Sequence, residues 1–237
     1  VDQRIASLIE RAARGVHSPS ATPATGEVHD LGPVEAGTPL VEAYVSEAAT
    51  LVPAVATATR PLAVTSLHGV GAHLLELTLT RCGHTEVHHV AVQREPDPDF
   101  PTVVFPNPEE PGAMDLVIQL AADVGADLAL ANDPDADRLA IAAPDPEGRW
   151  RVLTGDEVGA LLAAHLLALT SGATDRLVAT TVVSSRLLSL MAREADVHFA
   201  ETLTGFKWLC RPGMEHPRWQ QVMTYEEALG YAVGPTA

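Results

Sequence analysis

The chain has 237 residues, enough for one large domain or two small ones at roughly 150 residues per domain. Fifteen Lys and Arg against 31 Asp and Glu leave a net charge of −16, a field that repels phosphate backbones and anionic lipid, so neither nucleic acid nor a membrane is an expected partner. A hydrophobic content of 46% with 19% charged residues excludes a mostly disordered chain.

No uncharged apolar run reaches the roughly 18 residues that a membrane span requires, and Val1-Asp2-Gln3-Arg4 lacks the apolar block of a signal peptide. The expected location is the cytoplasm. Cys82 and Cys210 stand 128 positions apart and outside any C-x-x-C, which reads as two buried free thiols rather than a metal or redox pair.

In chain order, Ile5, Leu8 and Ile9 predict a short helix over 1–14 that stops at Gly15. Residues 16–39 are dense in Ser, Thr, Pro and Gly and read as a linker. A helix is expected over 44–55. A strand over 61–67 then enters the turn His68-Gly69-Val70-Gly71, and an amphipathic helix over 72–82 closes at Gly83. A strand over 86–92 and a proline-rich stretch over 95–111 follow. Next come a helix over 112–125 with Gly125 as its stop, a strand over 126–131, an acidic loop and a strand over 138–143.

The alternation restarts with a helix over 156–169, a strand over 177–183, a helix over 185–195 and a strand over 197–200. A segment over 203–211 then leads to a strand over 221–225. The fold class read from this is α/β, with two consecutive mixed, mostly parallel βα-layer domains. The domains expected are 1–43, a tail of a preceding domain plus linker; 44–150, carrying the acidic loop; and 151–237, incomplete. The two blocks suggest a duplicated βα unit, although no residue-level repeat accompanies them.

The most specific motif is Asn132-Asp133-Pro134-Asp135-Ala136-Asp137-Arg138, directly after a strand, where open α/β sheets place their ligand crevice. Carboxylates at i, i+2 and i+4 of a loop can converge on one hard cation. Mg²⁺ suits them, because it takes oxygen ligands and completes its shell with water or substrate phosphate. A calcium hand is rejected, since Arg138 and Pro144 stand where that loop needs Gly and Glu. The competing reading is a solvated acidic turn.

The run Asp133–Arg138 resembles the metal loop of the α-D-phosphohexomutases. Three further segments agree in order and spacing: Thr65–Gly71 (TSLHGVG), Thr204–Trp208 (TGFKW) and Tyr225–Tyr231 (YEEALGY). The resemblance runs from the last helix of that family's first domain through its second and most of its third. It implies a phosphosugar mutase, which moves phosphate between C1 and C6 (or C5) of a sugar through a phosphoserine and a sugar bisphosphate.

In that scheme Asp133, Asp135 and Asp137 hold Mg²⁺, and Arg138 sits beside the transferred phosphate, where its planar fork suits an oxyanion. The third-domain segments supply recognition. Thr204 and Gly205 form a loop that approaches the ligand. Lys207 offers a charge to phosphate or moves a proton, or else packs beside Trp208. Glu226 and Glu227, at the end of a strand, accept hydrogen bonds from sugar hydroxyls. Ala228 stands where many relatives carry Ser, as in the branch acting on phosphopentoses, phosphohexoses or sugar bisphosphates.

The family's nucleophile loop has no counterpart: His17-Ser18-Pro19-Ser20 has the wrong residue order, and no catalytic serine is assigned. The family's first and fourth domains are expected as missing partners, and this stretch alone is expected to be inactive. Three rivals remain. Gly69-x-Gly71 hints at a dinucleotide fingerprint, but Leu74 occupies the third glycine position. An aspartate-nucleophile phosphatase would use Asp133 for attack and Asp135 as acid, but it leaves Thr204–Trp208 unexplained. The third is a non-catalytic sugar-phosphate-binding fragment. His68 reads as a turn residue, and His84, His88 and His89 diverge too much for a metal site.

Overall fold

The computed structural model describes residues 38–51 and 60–234. The expected opening helix, most of the linker, and residues 52–55 of the helix expected over 44–55 lie outside them. Helix α1 (Pro39–Thr50) starts five residues earlier than the sequence reading has it. Pro39 takes the first helical position, where its missing N–H is no loss and its fixed φ suits the helix, so the linker ends at Thr38.

The first sheet is built from β1 (Leu62–Thr65), β2 (Val87–His89), β3 (Leu128–Asn132), β4 (Leu139–Pro144) and β5 (Trp150–Val152), in the order β2-β1-β3-β4-β5. β1 pairs parallel with β2 and β3, whereas β4 and β5 add antiparallel. Helices α2 (Ala72–Arg81) and α3 (Asp115–Val124) complete this unit, and α3 ends on Gly125 in the left-handed conformation, as the sequence predicts. The core is made of small side chains: Ala63, Ala129, Ala131, Ala140 and Ala142 are fully buried beneath Val117 and Ala121 of α3.

The strand expected over 86–92 stops at His89. The chain turns there into a 3₁₀ helix, Ala91–Gln93, that brings the Gln93 carbonyl onto the His68 N–H at 3.0 Å.

The second sheet contains β6 (Arg176–Thr181), β7 (His198–Thr202), β8 (Gln220–Glu226) and β9 (Gly230–Val233), in the order β7-β6-β8-β9. Only β9 runs antiparallel. Helices α4 (Gly155–Leu169) and α5 (Leu187–Glu194) pack on it, and the segment after β7 forms two short helices, α6 (Phe206–Leu209) and α7 (Arg211–Glu215). Thr154 and Glu157 form a reciprocal capping box at the start of α4. Buried Arg176 gives one guanidinium N–H to the Leu167 carbonyl and another to that of Ala195, closing the C-terminal ends of α4 and α5 together.

The two sheets share one strand plan. In each, the first strand lies between the second and the third, which pair with it in parallel, and the fourth returns antiparallel beside the third. The duplication suggested by the element pattern thus exists at the level of topology. It also places two loops in equivalent positions: Asp133–Arg138 between β3 and β4, and Glu227–Leu229 between β8 and β9.

Candidate functional site

The acidic loop leaves β3 at Asn132, whose side-chain amide donates to the Arg138 carbonyl at 2.7 Å and closes the neck. Ala136 adopts φ 61°, a left-handed turn that lets Asp133, Asp135 and Asp137 face inward together. A carboxylate oxygen from each lies within 4.8 Å of the others. Asp133 is 1% exposed, whereas Asp135 and Asp137 are open to solvent.

Arg138 organises the loop from inside. Its backbone N–H donates to Oδ1 of Asp133 at 3.0 Å, its Nε to Oδ2 at 2.7 Å, and its Nη1 to Oδ1 of Asn107 at 3.1 Å. Burial works to raise the Asp133 carboxyl, but the side-chain and backbone hydrogen bonds from Arg138 outweigh it and hold the group below its ordinary range. Asp137 moves the other way: burial raises it, and the charges of Asp133 and Asp135 add to that. Three crowded carboxylates with only one adjacent guanidinium form a donor set that suits a divalent oxygen-seeking cation. Each Asp133 oxygen keeps a free lone pair beyond its bond to Arg138.

The turn after β1 braces this loop. The Val70 N–H donates to the Pro134 carbonyl at 2.9 Å. A Cβ on Gly69 would lie 2.2 Å from the Pro134 Cα, and one on Gly71 would lie 2.7 Å from the Ala136 Cβ. Both glycines are therefore used for close approach of the acidic loop, which fills the space where a dinucleotide pyrophosphate would sit. His68 belongs to the same brace. It is buried, its Nε2 meets the Thr102 hydroxyl at 2.8 Å, and Gln93 joins Thr102 to Thr65.

The second loop stands on α4. Gly155 lies so close to the Glu227 carbonyl that a Cβ would come within 1.9 Å, and Gly159 is pressed against the Tyr225 ring. The Tyr225 hydroxyl donates to Oδ1 of Asp156 at 3.1 Å; burial, together with the Asp156 charge, pushes that phenol well up. Glu226 and Glu227 part company here, the first ending β8 and the second opening the turn. Oε2 of Glu226 accepts the Gly205 N–H at 3.0 Å. Oε2 of Glu227 accepts the hydroxyls of Thr181 at 3.0 Å and Ser184 at 2.9 Å.

Gly205 has φ 103°, so the residue is required by its backbone conformation, and its N–H is already used by Glu226. Thr204 and Lys207 are exposed, and the Lys207 ammonium lies 5.9 Å from the centre of the Trp208 ring.

The acidic loop and the Glu227 loop meet. The Leu139 N–H, next after Arg138, donates to the Leu229 carbonyl at 3.0 Å, and the buried Leu229 side chain packs into the core of the first sheet. Beside this junction lies a crevice of about 370 Å³ lined by Pro108, Glu109, Thr154, Asp156, Glu227 and Leu229, among others. A larger hollow of about 970 Å³ lies elsewhere, at the foot of the second sheet around Arg176 and Trp219, and includes none of the motif residues.

Among the described residues, Asp133, Asp135 and Asp137 form the only cluster of metal-ligand type, and His84, His88 and His89 do not converge. Cys82 and Cys210 are free and half-buried. Sequence reasoning missed Asn107, Asp156, Thr181 and Ser184. The available signal for the last two was their place at the end of β6 and in the turn that follows, equivalent to the end of β1 and its turn.

Two family models match the chain, one after the other. Phosphoglucomutase/phosphomannomutase alpha/beta/alpha domain II covers residues 42–148, and domain III of the same family covers 154–235. The chain belongs to the phosphoglucomutase/phosphomannomutase family. It is 39% identical, over 99% of its own length, to a probable phosphomannomutase of Haemophilus influenzae, and covers 45% of that protein. It is 40% identical to the phosphopentomutase of Mus musculus over 72% of the chain and 29% of that protein.

In fold it matches the crystal structure of Aspergillus fumigatus N-acetylphosphoglucosamine mutase in complex with GlcNAc-6P and magnesium. That match has a TM-score of 0.55 and 16% identity, and covers 81% of this chain and 39% of that one. The chain thus spans less than half the length of the relatives it matches. No helix among the described residues is long and apolar enough to cross a membrane.

Proposed function

We propose that the natural polypeptide carrying this chain is a phosphosugar mutase that moves phosphate between C1 and C6 (or C5) of a sugar. The observation that supports this most directly is the Leu139–Leu229 junction, which ties the end of the three-carboxylate loop to the carboxylate-bearing loop that lines the crevice. Asp133, Asp135 and Asp137 are the residues that would hold Mg²⁺, a reading consistent with the magnesium present in the fungal mutase complex. When bound, the ion supplies charge neutralisation at the transferred phosphoryl group.

Arg138 then has one task on each side. It fixes Asp133 through two hydrogen bonds and Asn107 through Nη1, and its Nη2 takes no partner among the described residues and is the group available to a phosphoryl oxygen. A phosphoserine, supplied from outside the two matched domains, gives its phosphoryl group to the free end of a sugar monophosphate; the resulting bisphosphate returns its other phosphoryl group to the serine. Glu227 accepts a sugar hydroxyl, while Glu226 keeps the Thr204–Gly205 loop in place and Lys207 faces the substrate phosphate. Asp133 is a weakened nucleophile in this arrangement, because the two hydrogen bonds from Arg138 hold its carboxyl below the ordinary range and lower its basicity. That disfavours the aspartate-phosphatase reading.

The test is phosphorus NMR of the natural polypeptide with glucose 1-phosphate, catalytic glucose 1,6-bisphosphate and Mg²⁺. Appearance of glucose 6-phosphate, abolished by EDTA, supports the reading. Release of inorganic phosphate alone would overturn it. This chain by itself should bind sugar phosphate without interconverting it.

A further inference from the structure

Glu227 differs from the other carboxylates of the crevice in how it is held. Oε2 takes one hydroxyl from Thr181, the last residue of β6, at 3.0 Å and one from Ser184 in the turn that follows at 2.9 Å, while Oε1 takes no hydrogen bond among the described residues. Thr181 is fully buried and its Oγ1 lies 2.8 Å from the Ser184 Oγ. Each hydroxyl carries one proton, so with Glu227 ionised both protons are drawn to Oε2 and the Thr181–Ser184 approach follows from the shared acceptor.

A carboxylate bound on one edge cannot rotate freely, and its second oxygen has a fixed direction. Glu227 is one of the residues that line the crevice, beside Leu229 and Asp156. The loop beneath it is equally fixed, by Gly155 against the Glu227 carbonyl and by Leu229 in the neighbouring core.

The two units repeat this arrangement with different atoms. In the first, the turn after β1 holds the β3–β4 loop through the Val70 N–H on the Pro134 carbonyl. In the second, the end of β6 and the turn that follows hold the β8–β9 loop through side-chain hydroxyls on Glu227. A backbone brace fixes only the path of a loop. A hydroxyl brace on the acceptor itself fixes which oxygen is presented, and a hydrogen bond to a charged group is directional enough for this to matter.

We infer that Thr181 and Ser184 are positioning residues for sugar selection, which hold Oε2 of Glu227 so that Oε1 meets one particular hydroxyl of the bound sugar. The inference rests on the reading of Glu227 as a sugar acceptor given above. It adds that the preference for that hydroxyl resides in the end of β6 and its turn as much as in the glutamate.

The test uses the natural polypeptide, with glucose 1-phosphate and its monodeoxy analogues as probes. Glu227→Gln should lower kcat/KM for glucose 1-phosphate about tenfold, yet change little for the one analogue that lacks the contacted hydroxyl. Thr181→Val combined with Ser184→Ala should reproduce that pattern on the same analogue, with the loss carried mainly by KM. Thr181→Ser, which restores the donor, should return to within about twofold of the parent.

If Glu227→Gln is selective but the double variant lowers all probes alike or none, the positioning role is overturned while the acceptor role stands. If Glu227→Gln shows no analogue dependence, the acceptor reading fails and the inference fails with it. Thermal melting of each variant separates either outcome from a folding defect.

Discussion

Leu139 and Leu229 are joined across the two sheets by a 3.0 Å hydrogen bond from the Leu139 N–H to the Leu229 carbonyl. Leu139 is the first residue after the acidic loop and Leu229 lies in the turn after Glu227, so one bond fixes the spacing of two sites that belong to different sheets. The Leu229 side chain reinforces it, being 2% exposed within the core of the first sheet.

Leu229→Ala should therefore do more than open a cavity. A buried Leu→Ala change costs about 2–5 kcal/mol, depending on how far the surroundings collapse. Urea unfolding should show a loss in that range. Because the side chain crosses from one sheet to the other, the variant should also unfold in two resolved transitions. A single transition with an unchanged midpoint would show that Leu229 does not couple the layers.

The brace beneath the acidic loop is tested by Gly69→Ala. The added methyl would meet the Pro134 Cα at 2.2 Å, and both partners are backbone, so the loop must move. Mg²⁺ affinity measured by calorimetry should fall on the order of tenfold, in the range seen when supporting residues around a metal are lost. Asp135→Asn should weaken binding by removing an anionic ligand from an exposed position, with the melting temperature unchanged. Unaltered Mg²⁺ affinity in Asp135→Asn would remove this residue from the ligand set.

Much of this site was legible because its residues are local in sequence. Asp133, Asp135, Asp137 and Arg138 lie in one loop, and the spacing alone predicts their convergence. The partners that hold the site are remote: Asn107 reaches Arg138 across 31 positions, and Thr181 reaches Glu227 across 46. No local pattern encodes such pairs. The division between Glu226 and Glu227 was not available from the strand, because β8 ends at Glu226 and Glu227 already lies in the turn. Strands β5 and β9 were hidden for another reason. They have three and four residues, too short for a period of two to be visible, and they exist because an adjacent strand offers them a free edge.

The cap of α4 gives a pH-dependent prediction. Glu157 is held below the ordinary carboxylate range, first by the Arg151 side chain and then by the Thr154 N–H. A depressed folded-state pKa contributes stability that is present above the unfolded value, about 4.3, and is lost as pH falls through the folded value. The difference in unfolding free energy between the parent and Glu157→Gln should be about 1 kcal/mol or less at pH 7, since the group is well exposed and screened by solvent. It should shrink towards zero below pH 4. A difference that grows on acidification would contradict the sign of this linkage.

The two loops should divide the work between sugar and phosphate. Glu227 lines the crevice and its Oε1 takes no hydrogen bond among the described residues, so on the proposed reading its substitution removes a contact whose value depends on the hydroxyls of the substrate. A hydrogen bond between a carboxylate and a sugar hydroxyl is worth roughly 1.5–3 kcal/mol, or about ten- to a hundredfold in kcat/KM. Glucose 1-phosphate and ribose 1-phosphate cannot present all their hydroxyls to the same acceptor, so Glu227→Gln should change their ranking. Glu226 is tied to the Gly205 N–H, and Glu226→Gln keeps an acceptor oxygen for that bond, so it should leave the ranking as it is. Asp135 belongs to the cluster read as neutralising the phosphoryl group, which is common to both substrates, so Asp135→Asn should lower both by one factor. The measurement is kcat/KM for the two sugars with each of the three variants. A changed ranking in Asp135→Asn, or a uniform loss in Glu227→Gln, would mean that a single loop carries both tasks.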